Sequence, residues 1–173
     1  DREILSKCRD AMEKWVNAMQ ASAAELPQGV EEGPEAENQH YLINTGFHFG
    51  DWLVPSVKNE AGFSDGPASA FLTMNVADTA LLAANADMLS EVLTLLGEGK
   101  KAGEYRGYAN RVRKAFYEEL CTPDAKLKQE MQGNYILALK YHMIPKDMEQ
   151  KFAARLAEMI RENDNRPDTG FMS

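Results

Sequence analysis

The run from about Pro67 to Leu96 constrains the fold more than any other part of this chain. It carries Phe71, Leu72, Met74, Val76, Leu81, Leu82, Met88, Leu89, Val92, Leu93, Leu95 and Leu96 with alanines between them, and leaves almost no polar face. A helix that is apolar nearly all round has to be covered on every side. Whatever the fold is, this segment lies at its centre and other elements surround it. Ser64-Asp65-Gly66-Pro67 opens it, with Pro67 at the first helical position, where its missing N–H costs nothing. Gly97 closes it.

The flanking segments supply the cover. From Arg2 to Ala23, Ile4, Leu5, Cys8, Met12, Trp15, Val16 and Met19 fall on one face at helical spacing, opposite Arg9, Asp10, Glu13, Lys14 and Asn17. On that spacing Trp15 is expected in the core. A third helix, about Lys101 to Leu120, has a narrow stripe of Tyr105, Tyr108, Ala109, Val112, Phe116 and Leu120. A fourth, about Gln129 to Met143, is apolar around most of its girth, so packing is expected for Tyr135 and Tyr141. A fifth, from Pro145 to about Asn163, is striped by Met148, Phe152, Leu156, Met159 and Ile160. Between the first two helices, Glu31 to Glu37 reads as a solvated acidic loop and Gln39 to Asn44 as a short strand.

The order is outer, inner, outer, inner, outer, with short turns inside each inner-to-outer pair. The expected fold is all-α, about five helices in antiparallel hairpins, forming one unit (residues 1–173) that is part of an α/α toroid. Antiparallel helices place every outer-to-inner connection at the same end. Thr45–Trp52, Cys121–Met131 and Thr169–Ser173 should therefore converge on one rim.

Composition narrows the partners. A net charge of −8 argues against nucleic acid or an anionic membrane surface as a partner. The longest uninterrupted apolar run falls short of a membrane span, and no segment has the layout of a signal peptide. Cys8 and Cys121 are read as buried free thiols, one disulfide being the alternative, and they share no ligand spacing with His40, His48 and His142. No metal and no cofactor are expected. The chain opens inside a helical pattern without a methionine and ends within a loop, which reads as a piece of a longer protein.

The candidate chemistry lies in Thr45-Gly46-Phe47-His48-Phe49-Gly50-Asp51-Trp52-Leu53. Two glycines make it irregular backbone, and they let the main chain approach a ligand closely. A carboxylate beside an indole is a sugar-binding pairing, one taking hydroxyls and the other the C–H face of the ring. The competing reading is a loop whose rings plug a helix bundle. Asp65 reads as a helix cap rather than a catalytic acid, and Glu60 is not assigned a catalytic role.

The segment Gly46-Phe47-His48-Phe49-Gly50-Asp51-Trp52-Leu53 resembles the GFHFGDWL segment of bacterial α-L-rhamnosidases of glycoside hydrolase family 78. Leu95-Leu96-Gly97 followed by Tyr105 and Ala115-Phe116, Gln132 with Tyr135 and Leu137-Ala138-Leu139, and Asp168-Thr169-Gly170-Phe171 are similar to further motifs of that family, in the same order. The resemblance implies part of an (α/α)6 barrel and an inverting hydrolase that acts on rhamnose-containing carbohydrate. It also implies that the catalytic acid and base lie outside this chain, so that none is assigned here. For substrate binding it points to Asp51 and Trp52, with His48, Gln132, Thr169 and Phe171 on the same rim. Another six-hairpin glycosidase, or a helical module that only binds protein or sugar, is the alternative. An open half-barrel would expose its inner helices, so the isolated chain is expected to form a homodimer.

Overall fold

The computed structural model describes residues 1–173, the side chain of Glu35 apart. Five α-helices follow one another: α1 (Arg2–Ala23), α2 (Gly66–Leu96), α3 (Gly99–Leu120), α4 (Gln132–Lys140) and α5 (Glu149–Glu162). Asp1 caps α1 by accepting from the Glu3 amide, and Asp65 caps α2 by accepting from Ala68 N at 2.9 Å. Asp65 is thus a helix cap, as read from the sequence.

Burial alternates as the apolar patterns require. α4 is buried along most of its length and α2 at 15 of its 31 residues, so α2 is not covered on every side as its sequence implies: Phe71, Met88 and Leu95 stay exposed. α3 is buried along one face, and α1 and α5 only at Val16, Ala23 and Phe152. α2 packs against α1, α3 and α4, and α4 against α5. The larger core gathers Leu82, Val112, Phe116, Leu127, Tyr135 and Phe152, the rings of Tyr135 and Phe152 lying 5.8 Å apart. A smaller core joins Val16 of α1 to Leu89, Leu93, Tyr105 and Ala109.

Several sequence expectations are corrected. Residues 39–44 form no strand: a 3-10 helix runs from Pro34 to Tyr41, taking in the end of the expected acidic loop. There is no neighbouring strand for residues 42–44, and Ile43 N donates instead to Thr79 Oγ1 of α2. α4 begins later than expected because Met131 is extended (φ −110°, ψ 140°), after a bridge pairs Cys121 with Leu127. α5 begins at Glu149, beyond a turn in which Pro145 O accepts from Met148 N and Glu149 N. By length and composition α2 does pass for a membrane span, with an 18-residue window of mean hydropathy 1.3, half of it buried inside this fold as in a core helix.

Two outer-helix residues are also corrected. Trp15 is 60% exposed and not in the core, and Cys8 is an exposed free thiol. Cys121 is a buried free thiol, burial pushing its pKa up to about 12. The reason is one of cover. The α1 stripe meets α2 only along part of its length, and the remainder borders an open apolar groove of about 650 Å3 lined by Leu5, Met12, Trp15, Met88, Val92 and Leu95.

Candidate sugar-binding rim

The loop ahead of α2 is irregular because its amides find hydroxyls instead of a neighbouring strand. Asp51 N donates to Thr73 Oγ1 at 2.7 Å and Val54 N to Ser69 Oγ at 3.1 Å. Both hydroxyls in turn donate back to α2 carbonyls, Thr73 to Ser69 O and Ser69 to Asp65 O. Buried amides without such acceptors would cost about 1–3 kcal/mol each, so these side chains fix the path of the loop.

Asp51 is fully buried. Its Oδ1 accepts from Met172 N at 2.8 Å and Ser173 N at 3.2 Å, and its Oδ2 from Gly170 N at 2.8 Å and Ser173 Oγ at 2.6 Å. The terminal segment is tied to the same loop elsewhere: Phe171 N donates to Trp52 O, and Ser56 N to Asp168 Oδ1. Gln132, at the start of α4, is also buried. Its Oε1 accepts from Asp168 N at 2.9 Å and its amide nitrogen reaches Met159 O. A Cβ on Gly133 would run into Asp51 Oδ2 and Ser173 Oγ, and one on Gly66 would run into the Trp52 indole. The first two glycyl positions of the inner helices are thus where the chain closes on itself.

On the open side lies an aromatic group. Trp52 is half-buried on Gly66, its ring 5.2 Å from Phe49 and 6.4 Å from Phe47, and Phe47 meets Phe71 of α2 at 5.7 Å, all edge-on. Phe47, Phe49 and Phe71 are 50, 63 and 61% exposed, and Phe171 68%. Phe71 had been read only as part of an apolar helix. His48 is half-buried; its Nε2 lies 3.2 Å from Thr45 O and its Nδ1 3.8 Å from Asp78 Oδ2. Asp78 had no place in the sequence reading. A charged residue on an otherwise apolar helix was the available signal for it, as hydroxyls in that helix were for Ser69, Thr73 and Thr79.

The structure thus brings Asp51, Trp52, Gln132, Thr169 and Phe171 together, with His48 at the edge. Two of the three connections meet directly. The third, Cys121–Met131, does not join them: Leu127 turns into the core, its amide donating to the Tyr135 hydroxyl, and it is the start of α4 just beyond, at Gln132 and Gly133, that meets the rim. Asp51 and Gln132 point into the protein. Trp52, Phe171, Thr169 and His48 keep surface that a ligand can reach. Among the described residues, no three His, Cys, Asp or Glu side chains gather as a metal site would require.

Burial holds the Asp78 carboxyl above its ordinary range, His48 opposing that rise, and Oδ2 has no hydrogen-bond partner. Because the folded-state value exceeds the unfolded one, ionising Asp78 opposes folding. The penalty is absent below the ordinary carboxylate range and grows as pH rises through the raised value. Asp78→Asn is therefore expected to raise Tm at neutral pH and leave it unchanged in acid, as thermal denaturation by circular dichroism would record.

Antiparallel helical hairpins in which the more buried α2 and α4 alternate with the half-exposed α1, α3 and α5 are the arrangement of part of an α/α toroid. Residues 1–173 match the family model for the bacterial alpha-L-rhamnosidase 6 hairpin glycosidase domain, and the chain belongs to that family. An alpha-L-rhamnosidase of Streptomyces avermitilis is 26% identical over 172 residues, and one of Formosa agariphila 28% over 174; each alignment covers 99% of this chain. The chain spans only 14% and 16% of the lengths of these curated relatives. Among solved structures, an alpha-L-rhamnosidase from Aspergillus terreus superposes with a TM-score of 0.75 at 25% identity, over 99% of this chain and 18% of that one. The Streptomyces avermitilis enzyme, solved with L-rhamnose, gives 0.73 at 26%, over 99% of this chain and 14% of that one.

Proposed function

We propose that this chain forms part of the sugar pocket of an inverting α-L-rhamnosidase, with Trp52 as the platform for the ring of a terminal rhamnosyl residue. The observation that carries the reading is the open Trp52–Phe47–Phe49–Phe71 cluster at the converging ends of the hairpins, in a chain of the rhamnosidase six-hairpin family. A 6-deoxyhexose has a methyl group and C–H faces suited to aromatic contact, and its hydroxyls need polar partners such as Thr169 and His48 around that platform. Inverting hydrolysis needs a general acid and a general base about 6.5–9.5 Å apart across the sugar. The carboxylate at the centre of the rim, Asp51, is already bonded on both oxygens, so the chain is assigned binding and not proton transfer.

The test is kinetic. The whole enzyme is expected to hydrolyse an aryl α-L-rhamnoside with inversion, and the 173-residue chain alone to turn over none above a buffer control. Trp52→Ala in the whole enzyme should lower kcat/KM by roughly tenfold to a hundredfold, the worth of about 1.5–3 kcal/mol of buried aromatic surface. Unchanged kcat/KM would remove Trp52 from the pocket, and turnover by the chain alone would overturn the assignment of catalysis elsewhere.

For the chain by itself we propose a second copy as the occupant of the α1–α2 groove. Trp15, Met88 and Leu95 stand more than half exposed along it and form an apolar face that no other element of the chain covers. In relatives several times longer, other parts of the protein are on hand to cover such a face. The isolated chain has only itself.

A further inference from the structure

Asp51 is the residue that a sugar-binding reading would first assign to hydroxyl recognition, yet it has no exposed surface and meets four donors, all from residues 170–173. We propose that Asp51 is a positioning residue: its carboxylate anchors the segment 168–173 over the start of α4 and seats Phe171 beside Trp52. The proposal rests on reading the Trp52 rim as part of a sugar pocket, and it changes the part Asp51 plays there from meeting the substrate to holding the wall.

The donors form one contiguous stretch of chain. Three of the four bonds come from backbone amides, whose loss of a buried acceptor is costly. The side of the carboxylate away from its own loop is filled as well. Gly133 lies so close that a single added carbon would collide with both Asp51 Oδ2 and Ser173 Oγ. A sugar hydroxyl has neither a free acceptor direction nor room to approach. The other ties of the segment end on the same loop and the same helix start: Phe171 N on Trp52 O, Asp168 Oδ1 on Ser56 N, and Asp168 N on Gln132 Oε1. Asp51 is the centre of this set. Without it, residues 170–173 keep only the single Phe171–Trp52 backbone bond, at 3.3 Å.

Two measurements decide the role. In the 173-residue chain, Asp51→Asn keeps the shape of the side chain but turns an NH2 donor toward donors. Amide hydrogen exchange followed by NMR is expected to speed up about tenfold at Gly170 and Met172, while amides of Leu82 and Val112 keep their protection. Ser173→Ala removes one bond and should produce a smaller change at the same amides. If Asp51→Asn does not fold, Gly133→Ala presses on the same carboxylate from α4 and carries the same expectation. Unaltered exchange at Gly170 and Met172 in the folded variants overturns the proposal.

In the whole enzyme, Asp51→Asn and Ser173→Ala should each lower kcat/KM on an aryl α-L-rhamnoside, and the double variant should be no worse than Asp51→Asn alone, because both act through one segment. A rise in KM confined to Asp51→Asn, with Ser173→Ala kinetically silent, would mean that Asp51 touches the sugar and would sink the anchor. If the wild-type enzyme does not hydrolyse the rhamnoside at all, it is the pocket reading that fails, and the exchange experiment still decides what Asp51 holds.

Discussion

Sedimentation equilibrium of the isolated chain is expected to return twice its 19.3 kDa mass at micromolar concentration. The argument starts from the groove between α1 and α2, about 650 Å3 in volume, bordered by Trp15, Met88 and Leu95 at 60, 54 and 61% exposure. Covering the exposed parts of these side chains on two copies gains on the order of 10 kcal/mol at ~25 cal/mol per Å2, comparable with the roughly 4–15 kcal/mol that association itself costs. A two-fold arrangement satisfies both copies at once, each α1–α2 face meeting its equal. Trp15→Glu should return the chain to a monomer with its helix content intact, since it would bury a charge at the contact while touching nothing in the folded core. A clean monomer of the unaltered chain at high micromolar concentration would remove the proposed occupant of the groove.

Truncating Phe116 should have the largest effect on stability within one copy. The side chain, on α3, is fully buried in the cluster that also holds Leu82 of α2, Tyr135 of α4 and Phe152 of α5. Phe116→Ala removes a ring's worth of contacts and leaves a cavity that helices on both sides hold open. The expected cost is about 3–5 kcal/mol. For a chain of this size that lowers Tm by on the order of 10 °C. Urea denaturation should show the midpoint falling with the slope unchanged. Ile4→Ala, at 58% exposure on α1, is the contrast: it should shift the midpoint little, and a comparable loss there would mean that burial in one chain is not what ranks these side chains.

The helices were legible because their burial differs in kind. An apolar girdle around α2 against single stripes on α1, α3 and α5 is a pattern that periodicity reports directly, and Asp65 and Gly97 marked the ends of α2. Trp15 was misjudged because a stripe shows which way a helix faces, and not whether another helix stands there to meet it. Residues 39–44 were read as a short strand leading into the Thr45–Leu53 stretch. No second strand exists for them, so local preference yielded to the nearest acceptors. At the rim, Asp51, Trp52, Gln132, Thr169 and Phe171 were named from motif resemblance, and in the fold Asp51 and Gln132 bond to the segment that carries Thr169 and Phe171. The direction in which Asp51 points was not legible. Its partners are main-chain amides more than a hundred residues away, and backbone donors leave no mark on residue identity.

The loop before α2 is fastened at Ile43, Asp51 and Val54 to hydroxyls of Thr79, Thr73 and Ser69. Between the first two fasteners the chain runs out through Phe47, His48 and Phe49 and comes back. That span behaves like a cassette held in a fixed frame. The exposed ring of Phe49 can be exchanged without disturbing the helix that holds the span, because the frame bonds to backbone, whereas Gly50 has to stay: a Cβ there would run into Thr73 Oγ1 and Met74 of α2. Variation among homologous domains, or a library made in the laboratory, can therefore redraw the ligand-facing surface there at small cost to folding. The same changes made at Ser69, Thr73 or Thr79 would strand buried amides and loosen the whole mounting.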